Sequence, residues 1–245
     1  IRISPDGRLA AVTHVLARYY LPATQLDRGW MATNAVSLID TGARRLAATV
    51  LLDNIGRGAA NPWAVEWTAE AKHLLVTHAG THELSVTDFP ALLEKLAKVA
   101  SAAPEGGAAA LPYSASASRV PSDVPNDLAF LVGVRERRRL PEGDLGPRAV
   151  AVVGRHAYVA NYFSDTLTVM ELDGTHPKAE SIPLGPKPQM TAARQGEFYF
   201  NDARICFQGW QSCASCHPGD GRVDALNWDL LNDGIGNPKN NKSLL

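Results

Sequence analysis

Residues 213–217 read Cys-Ala-Ser-Cys-His. Cysteines three apart on a helical turn face the same way. Both sulfurs can then reach the two vinyl groups of one porphyrin. The adjacent His217 can swing beneath the ring and place an imidazole nitrogen on the iron as an axial ligand. C-x-x-C-H is the attachment pattern of c-type haem. Cys213, Cys216 and His217 are therefore the expected ligands of one covalent haem c. Phe207, Trp210 and Trp228 are candidates to pack on its ring, although aromatics are core residues in any fold. Two other readings of the thiols stay open. A zinc site can draw on Cys206, Cys213, Cys216 and His217, but consecutive Cys216 and His217 aim poorly at one tetrahedral ion. A dithiol redox pair calls for βαβ surroundings that the flanks do not supply. Cys206 is then a free cysteine of the ordinary buried kind.

The elements that would hold this motif follow from its flanks. Residues 187–245 are expected to form a small α-helical c-type cytochrome domain. Its 59 residues are too few to bury a sizeable core, so the porphyrin would supply the missing apolar mass. Thr191 is placed to cap a helix running from Ala192 to about Phe200. Gly196 and Phe200 lie on one face of it. The sixth iron ligand is not identifiable. Met170 and Met190 are possible, and His14 and His78 end equivalent strands, where ordinary hydrogen bonding is the better reading. His78 and His82 are spaced for a metal pair only on a helix, and the segment is a strand and turn. Asp220, Asp224, Asp229 and Asp233 do not match a calcium loop, because Leu231 stands where Asp or Asn is needed.

Residues 1–186 repeat. NAVSLID (34–40), HELSVTD (82–88) and DTLTVME (165–171) align, with AAVTH (10–14), LLVTH (74–78) and AYVAN (157–161) upstream of each. IRIS (1–4), WAVEW (63–67) and RAVAVV (148–153) come before those. Alternation at period two makes them half-buried strands. RLAATVLL (45–52), DLAFLVGV (127–134) and AESIPL (179–184) are the expected fourth strands. With stretches 16–33 and 90–126 set aside as insertions, Val12, Val76 and Val159 recur about every 46 residues. A four-stranded unit at that period is a propeller blade. The expected class is mainly β, a partial propeller of three blades followed by the helical domain. An ordinary β-sandwich is the alternative. The two insertions should emerge on opposite faces. The second begins with an amphipathic helix, PALLEKLAKVA, with Leu92, Leu93, Leu96 and Val99 along one stripe. Its remainder is of low complexity.

Composition narrows the classes of function. Twenty-four Lys and Arg against 25 Asp and Glu give a net charge of −1. That balance gives no support to nucleic-acid binding. The arginine run 135, 137, 138 and 139 reads as a solvated strand end. No stretch is apolar and long enough to span a membrane. The chain starts at Ile1 inside an expected strand and shows three blades of a ring that needs more. It reads as part of a longer protein, with the other blades before Ile1 or in another chain.

Two resemblances add to this. Residues 74–88 and 157–171, with "AYVANYFSDTLTVMEL" (157–172), resemble the YVTN bacterial β-propeller repeats. Residues 196–245 resemble the first haem domain of the di-haem cytochrome c peroxidase family. The shared elements are the Gly-x-x-x-Phe helix, Asn201-Asp202, the CASCH core, Asp220-Gly221 and Lys242-Ser243-Leu244. At the last of these the chain departs from the family, with Asn-Lys-Ser-Leu in place of a Thr-Pro-Ser-Leu-like run. This second resemblance implies a second haem beyond Leu245, a peroxide-reducing di-haem oxidoreductase with the propeller as docking platform, an unidentified redox partner and a periplasmic location. The non-enzymatic alternatives are an electron-transfer relay and a propeller binding protein with a structural metal site.

Overall fold

The structure is a computed structural model that describes residues 1–17, 32–101, 118–174, 177–187, 189–228 and 239–245. Most of the 16–33 insertion and of the low-complexity stretch at 101–118 lies outside the described residues.

Among the described residues twelve strands form three antiparallel sheets in chain order. The first sheet is β1 (Arg2–Ile3), β2 (Leu9–Ala17), β3 (Ala32–Asp40) and β4 (Arg45–Leu51). The second is β5 (Pro62–Trp67), β6 (His73–His78), β7 (Glu83–Asp88) and β8 (Arg135–Arg139). The third is β9 (Pro147–Val153), β10 (His156–Asn161), β11 (Thr166–Glu171) and β12 (Ala179–Pro183). β5 packs between β2 of the first sheet and β9 of the third, so the sheets stack side by side like propeller blades.

Strand alternation builds the core between them. Leu74 and Val76 turn toward the first blade and join Ala11, Val36, Leu38, Val50 and Trp67. Leu75, Leu84 and Val86 turn the other way and meet Val150, Ala157, Val159 and Met170 of the third blade. Met170, considered above for the iron, is thus core.

The three blades share one internal tie. His14 Nε2 meets Ser37 Oγ at 2.9 Å, His78 Nε2 meets Ser85 Oγ at 2.7 Å, and Asn161 Nδ2 donates to Thr168 Oγ1 at 2.8 Å. Each joins the second strand of its blade to the third, at matching register. This equivalence confirms the repeat and accounts for both rim histidines.

The fourth strand of the second blade is not where hydrophobicity placed it. Residues 127–134 make consecutive turns, and Leu128, Phe130 and Leu131 plug the wedge between the first two blades. The strand is instead β8, the run Arg-Glu-Arg-Arg-Arg. Period two operates here on charge. Arg135 and Arg137 reach toward the first blade, where they donate to carbonyls and side chains of residues 52–58. Arg138 reaches the other way, to the carbonyls of Glu171 and Leu172 at 2.8 and 3.1 Å. Arg137 and Arg57 both pair with the fully buried Glu83. The run is therefore an internal brace and not a solvated strand end. An apolar pattern could not reveal it, because the partners are backbone carbonyls.

Helix α1 (Phe89–Ser101) follows the end of β7 directly. Phe89 and Leu92 are buried, with Leu96 and Val99 packed against the same cluster. The Phe89 ring stands edge-on to Trp67 at 4.6 Å. Leu93 falls off the stripe and is exposed.

The carboxyl-terminal stretch does not make a separate helical domain. Among the described residues it contains α2 (Ala192–Asn201), α3 (Cys213–Cys216), α4 (Pro218–Gly221) and two short 3-10 turns, at Ala203–Ile205 and Phe207–Gly209. It is laid on one end of the blades. Thr191 caps α2 by accepting from Arg194 N–H at 3.2 Å. The helix buries Phe198 and Asn201. Gly196 and Phe200 both lie within α2, four apart on one face, and Gly196 faces open space.

Candidate functional site

α3 is a single helical turn, so Cys213 and Cys216 stand on the same side of it. Cys213 is exposed and Cys216 half-buried, and all three cysteines are free thiols. His217 ends the turn, its N–H bonded to the Cys213 carbonyl at 2.9 Å. Its Nδ1 is buried with no hydrogen-bond partner. The Cys216 carbonyl accepts from Asn241 Nδ2, which folds the last residues back beneath the motif. Burial pushes the Cys216 thiol up, with Asp224 adding to it; burial does the same for Cys206, with Cys213 adding to it. A raised Cys216 thiol is the reverse of what an activated redox dithiol needs.

Loops of the propeller hold this turn in place. The β4–β5 loop (52–61) and the β6–β7 turn (79–82) bind residues 201–215 as an added layer. Gly58 N–H donates to the Gln208 carbonyl at 2.9 Å, and Ala203 N–H donates to the Gly80 carbonyl at 2.9 Å. Asn34 Nδ2 donates to the Trp210 carbonyl at 3.1 Å. A Cβ on Gly58 would overlap the Trp210 backbone, so only glycine permits this approach. Asn61 Nδ2 donates to the Asn201 carbonyl at 3.0 Å and to Ser212 Oγ at 2.9 Å, while Ser215 Oγ donates to Asn61 Oδ1 at 3.0 Å.

A second anchor is buried between blade and segment. His82 Nδ1 accepts the Gly146 N–H at 2.9 Å, which leaves the proton on Nε2, 3.4 Å from Asp202 Oδ1. Burial opposes ionisation of Asp202, but His82 and Arg204 outweigh it and hold the carboxyl well below its usual range. Phe198 stacks on His82 at 6.1 Å.

The expected ring-packing aromatics separate. Trp210 is buried against Ala35, Leu51 and Leu128, where it serves as a wedge between segment and propeller. Phe207 is 60% exposed. Trp228 is half-buried and donates from Nε1 to Asp224 Oδ2 at 2.8 Å. Asp224 is thereby occupied, and Asp229 and Asp233 lie outside the described residues. Among the described residues no three His, Cys, Asp or Glu side chains converge as a metal site. The structural-metal alternative has no support in that geometry. His78 is bonded to the Ala59 carbonyl and Ser85, and His82 to Gly146, so the two do not form a pair. Asn61, which places the motif, carried no chemical signal of its own in the sequence, and Asp202 stood out only as part of the Asn201-Asp202 element of the resemblance. Asn61-Pro62 reads only as a turn.

No protein-family model matches the chain. Over 169 residues it is 30% identical to hydrazine synthase subunit beta of Kuenenia stuttgartiensis, covering 68% of this chain and 39% of that relative. A 49-residue stretch is 51% identical to hydrazine synthase subunit gamma of the same organism, covering 20% of this chain and 14% of the relative. The solved Kuenenia stuttgartiensis hydrazine synthase superposes with a TM-score of 0.56 at 25% identity, over 69% of this chain and 44% of that one. The chain therefore spans well under half of the beta subunit it matches. These findings overturn the resemblance to YVTN repeats fused to a di-haem cytochrome c peroxidase domain. The likeness runs to hydrazine synthase subunits, and no distinct helical cytochrome domain stands beside the blades. The expected peroxidase activity and second haem rested on that resemblance and lose their basis with it. What the comparisons carry is a propeller-like β-fold similar to that of a hydrazine synthase subunit.

Proposed function

We propose that this chain is a haem-c-bearing redox subunit. Cys213 and Cys216 would carry the two thioether links, and His217 would hold the iron from below. One observation carries the reading. Two free thiols stand on one side of a single turn, and a histidine with an unpartnered buried ring nitrogen closes that turn. The surroundings fit a large apolar group. Ile205, Phe207 and Val223, on either side of the motif in the chain, leave apolar side chains exposed, and so does Leu244, whose N–H donates to the Gly221 carbonyl at 2.8 Å. Haem bound there supplies an iron that takes up and releases one electron at a time. The chain's own residues do the rest. Asn241 ties the carbonyl of Cys216, and the propeller loops fix the turn.

The names of the relatives extend the reading. Both are subunits of hydrazine synthase, so we place this chain in a multi-subunit redox assembly of that kind, with electron transfer as its part. Among the described residues no helix is long and apolar enough to cross a membrane. Bacterial haem c attachment takes place outside the cytoplasmic membrane, and we place the chain in the periplasm.

The test is a pyridine haemochrome assay and intact mass on protein made with haem-maturation machinery. Covalent haem is expected in the parent and lost in the Cys213→Ala/Cys216→Ala double variant. Matured protein without covalent haem would end this reading.

A further inference from the structure

Asn61 sits immediately before the proline that opens β5, with its backbone in the left-handed region at φ +56°. The third blade has Gly146 at the matching place, before Pro147 and at φ +68°. The backbone bonds match as well. The Ala79 N–H donates to the Asn61 carbonyl and the Tyr162 N–H to the Gly146 carbonyl, both at 2.9 Å. The blade corner therefore asks only for a residue that tolerates positive φ, and glycine meets that need with no side chain. The Asn61 side chain must serve something else.

What it touches is the cysteine-bearing turn. Both amide hydrogens are used, on the Asn201 carbonyl and on Ser212 Oγ, and the amide oxygen accepts from Ser215 Oγ. Ser212 precedes Cys213, and Ser215 lies between the cysteines. Ser215 Oγ also accepts from the Ser212 N–H at 3.0 Å, which closes the turn on itself. Asn61, Asn201 and Ser212 are all buried, so the two bonds from the Asn61 amide hydrogens are shielded from water, while those of Ser215 are partly shielded.

We infer that Asn61 is a positioning residue for the haem-attachment turn, a clamp by which the propeller sets the orientation of Cys213, Cys216 and His217. This rests on the haem reading above for its purpose, but the clamp is testable without haem. A four-residue helix has little stability of its own. Its geometry must come from outside, and Asn61 grips it at both Ser212 and Ser215.

The test uses the full-length protein and the variant Asn61→Gly, which deletes the clamp but keeps the left-handed corner, as Gly146 does. In protein made without haem maturation, thiol labelling of Cys216 should accelerate about tenfold or more in Asn61→Gly. The unfolding midpoint of the blades should stay close to the parent's. The Ser212→Ala/Ser215→Ala variant removes two of the three Asn61 bonds from the other side, outside the propeller, together with the turn's own Ser215 Oγ bond to the Ser212 N–H. It should accelerate labelling similarly, and combining it with Asn61→Gly should add little. In matured protein, Asn61→Gly should lower the fraction of chains with two thioether links and shift the haem reduction potential. Cys216 labelling within twofold of the parent in both variants would overturn the clamp. If Asn61→Gly does not fold, the serine variant decides alone. Accelerated labelling together with a matured parent that carries no haem would leave the clamp standing and overturn the haem reading instead.

Discussion

His78 and Asn161 do the same job in neighbouring blades with different chemistry. Each ties the end of its second strand to the third strand, but only the histidine titrates. Burial, with Arg137 and Arg135 adding to it, holds the His78 imidazole well below its ordinary range. The folded state therefore keeps it neutral, while an unfolded chain takes up a proton below about pH 6.5. Its contribution to stability is complete above that pH and is lost as pH falls. His78→Asn, copying the third blade, should fold and should remove this acid-side slope, as urea titrations between pH 7 and 5 would show. Asp202 adds a loss at lower pH. Its carboxyl is depressed in the folded state, so its stabilisation is present above about pH 4 and disappears below it. Asp53 works in the opposite direction. It is fully buried, and burial raises it to about 6 in spite of hydrogen bonds from Asn34 and Ala59. The folded state binds its proton more tightly than the unfolded state does. That contribution is present below about pH 4 and is lost as pH rises toward 6. Asp53→Asn should abolish this falling limb, whatever it does to absolute stability.

Strand β8 is the element with the most riding on polar contacts. Arg137 meets Glu83, the Gly58 carbonyl at 2.6 Å and the Arg57 carbonyl at 3.1 Å. Burial lowers its pKa, with Glu83 acting against that, and burial lowers Arg135 to about 9. Removing Arg137 leaves the fully buried Glu83 carboxylate with Arg57, itself 44% exposed, as its remaining arginine partner. Arg137→Leu should cost about 3–5 kcal/mol in equilibrium unfolding. The double change Arg137→Leu/Glu83→Leu should recover part of it, because the half-paired buried carboxylate is removed too. The same arginine holds the loop that carries Gly58 and Asn61. Arg137→Leu should therefore also loosen the cysteine-bearing turn, read as faster amide exchange at residues 212–217.

At the scale of the molecule, the blades and the carboxyl-terminal stretch form one packed body joined through a few residues. Trp210 is driven between Ala35, Leu51 and Leu128, and its carbonyl is bound by Asn34. Trp210→Ala should cost about 3–5 kcal/mol. It should also make the stretch after Lys187 the first part cut in limited proteolysis, with the blades surviving longer. In the proposed role this union has a consequence. A haem on α3 would keep one fixed orientation to the propeller, as an electron-transfer subunit that docks by its rigid face requires.

The residue pattern alone specified a good deal. Period-two alternation located eleven of the twelve strands, since strand burial follows side-chain parity directly. The motif Cys213-x-x-Cys216-His217 lies on one helical turn because its spacing is local. The Thr191 cap was readable for the same reason. The twelfth strand was not, because β8 is stabilised by arginines whose carbonyl partners lie 33 to 83 residues away in the chain. Nor was the dependence of the carboxyl-terminal stretch on the blades. Its composition suggested a small domain needing extra core, and the fold supplies that core through Trp210, Phe198 and the Asn61 clamp. Contacts such as Asn61 with Ser215 join residues 154 apart in the chain. Spacing along a sequence carries no record of such a meeting. Only the stacking of the blades brings the β4–β5 loop against the cysteine-bearing turn.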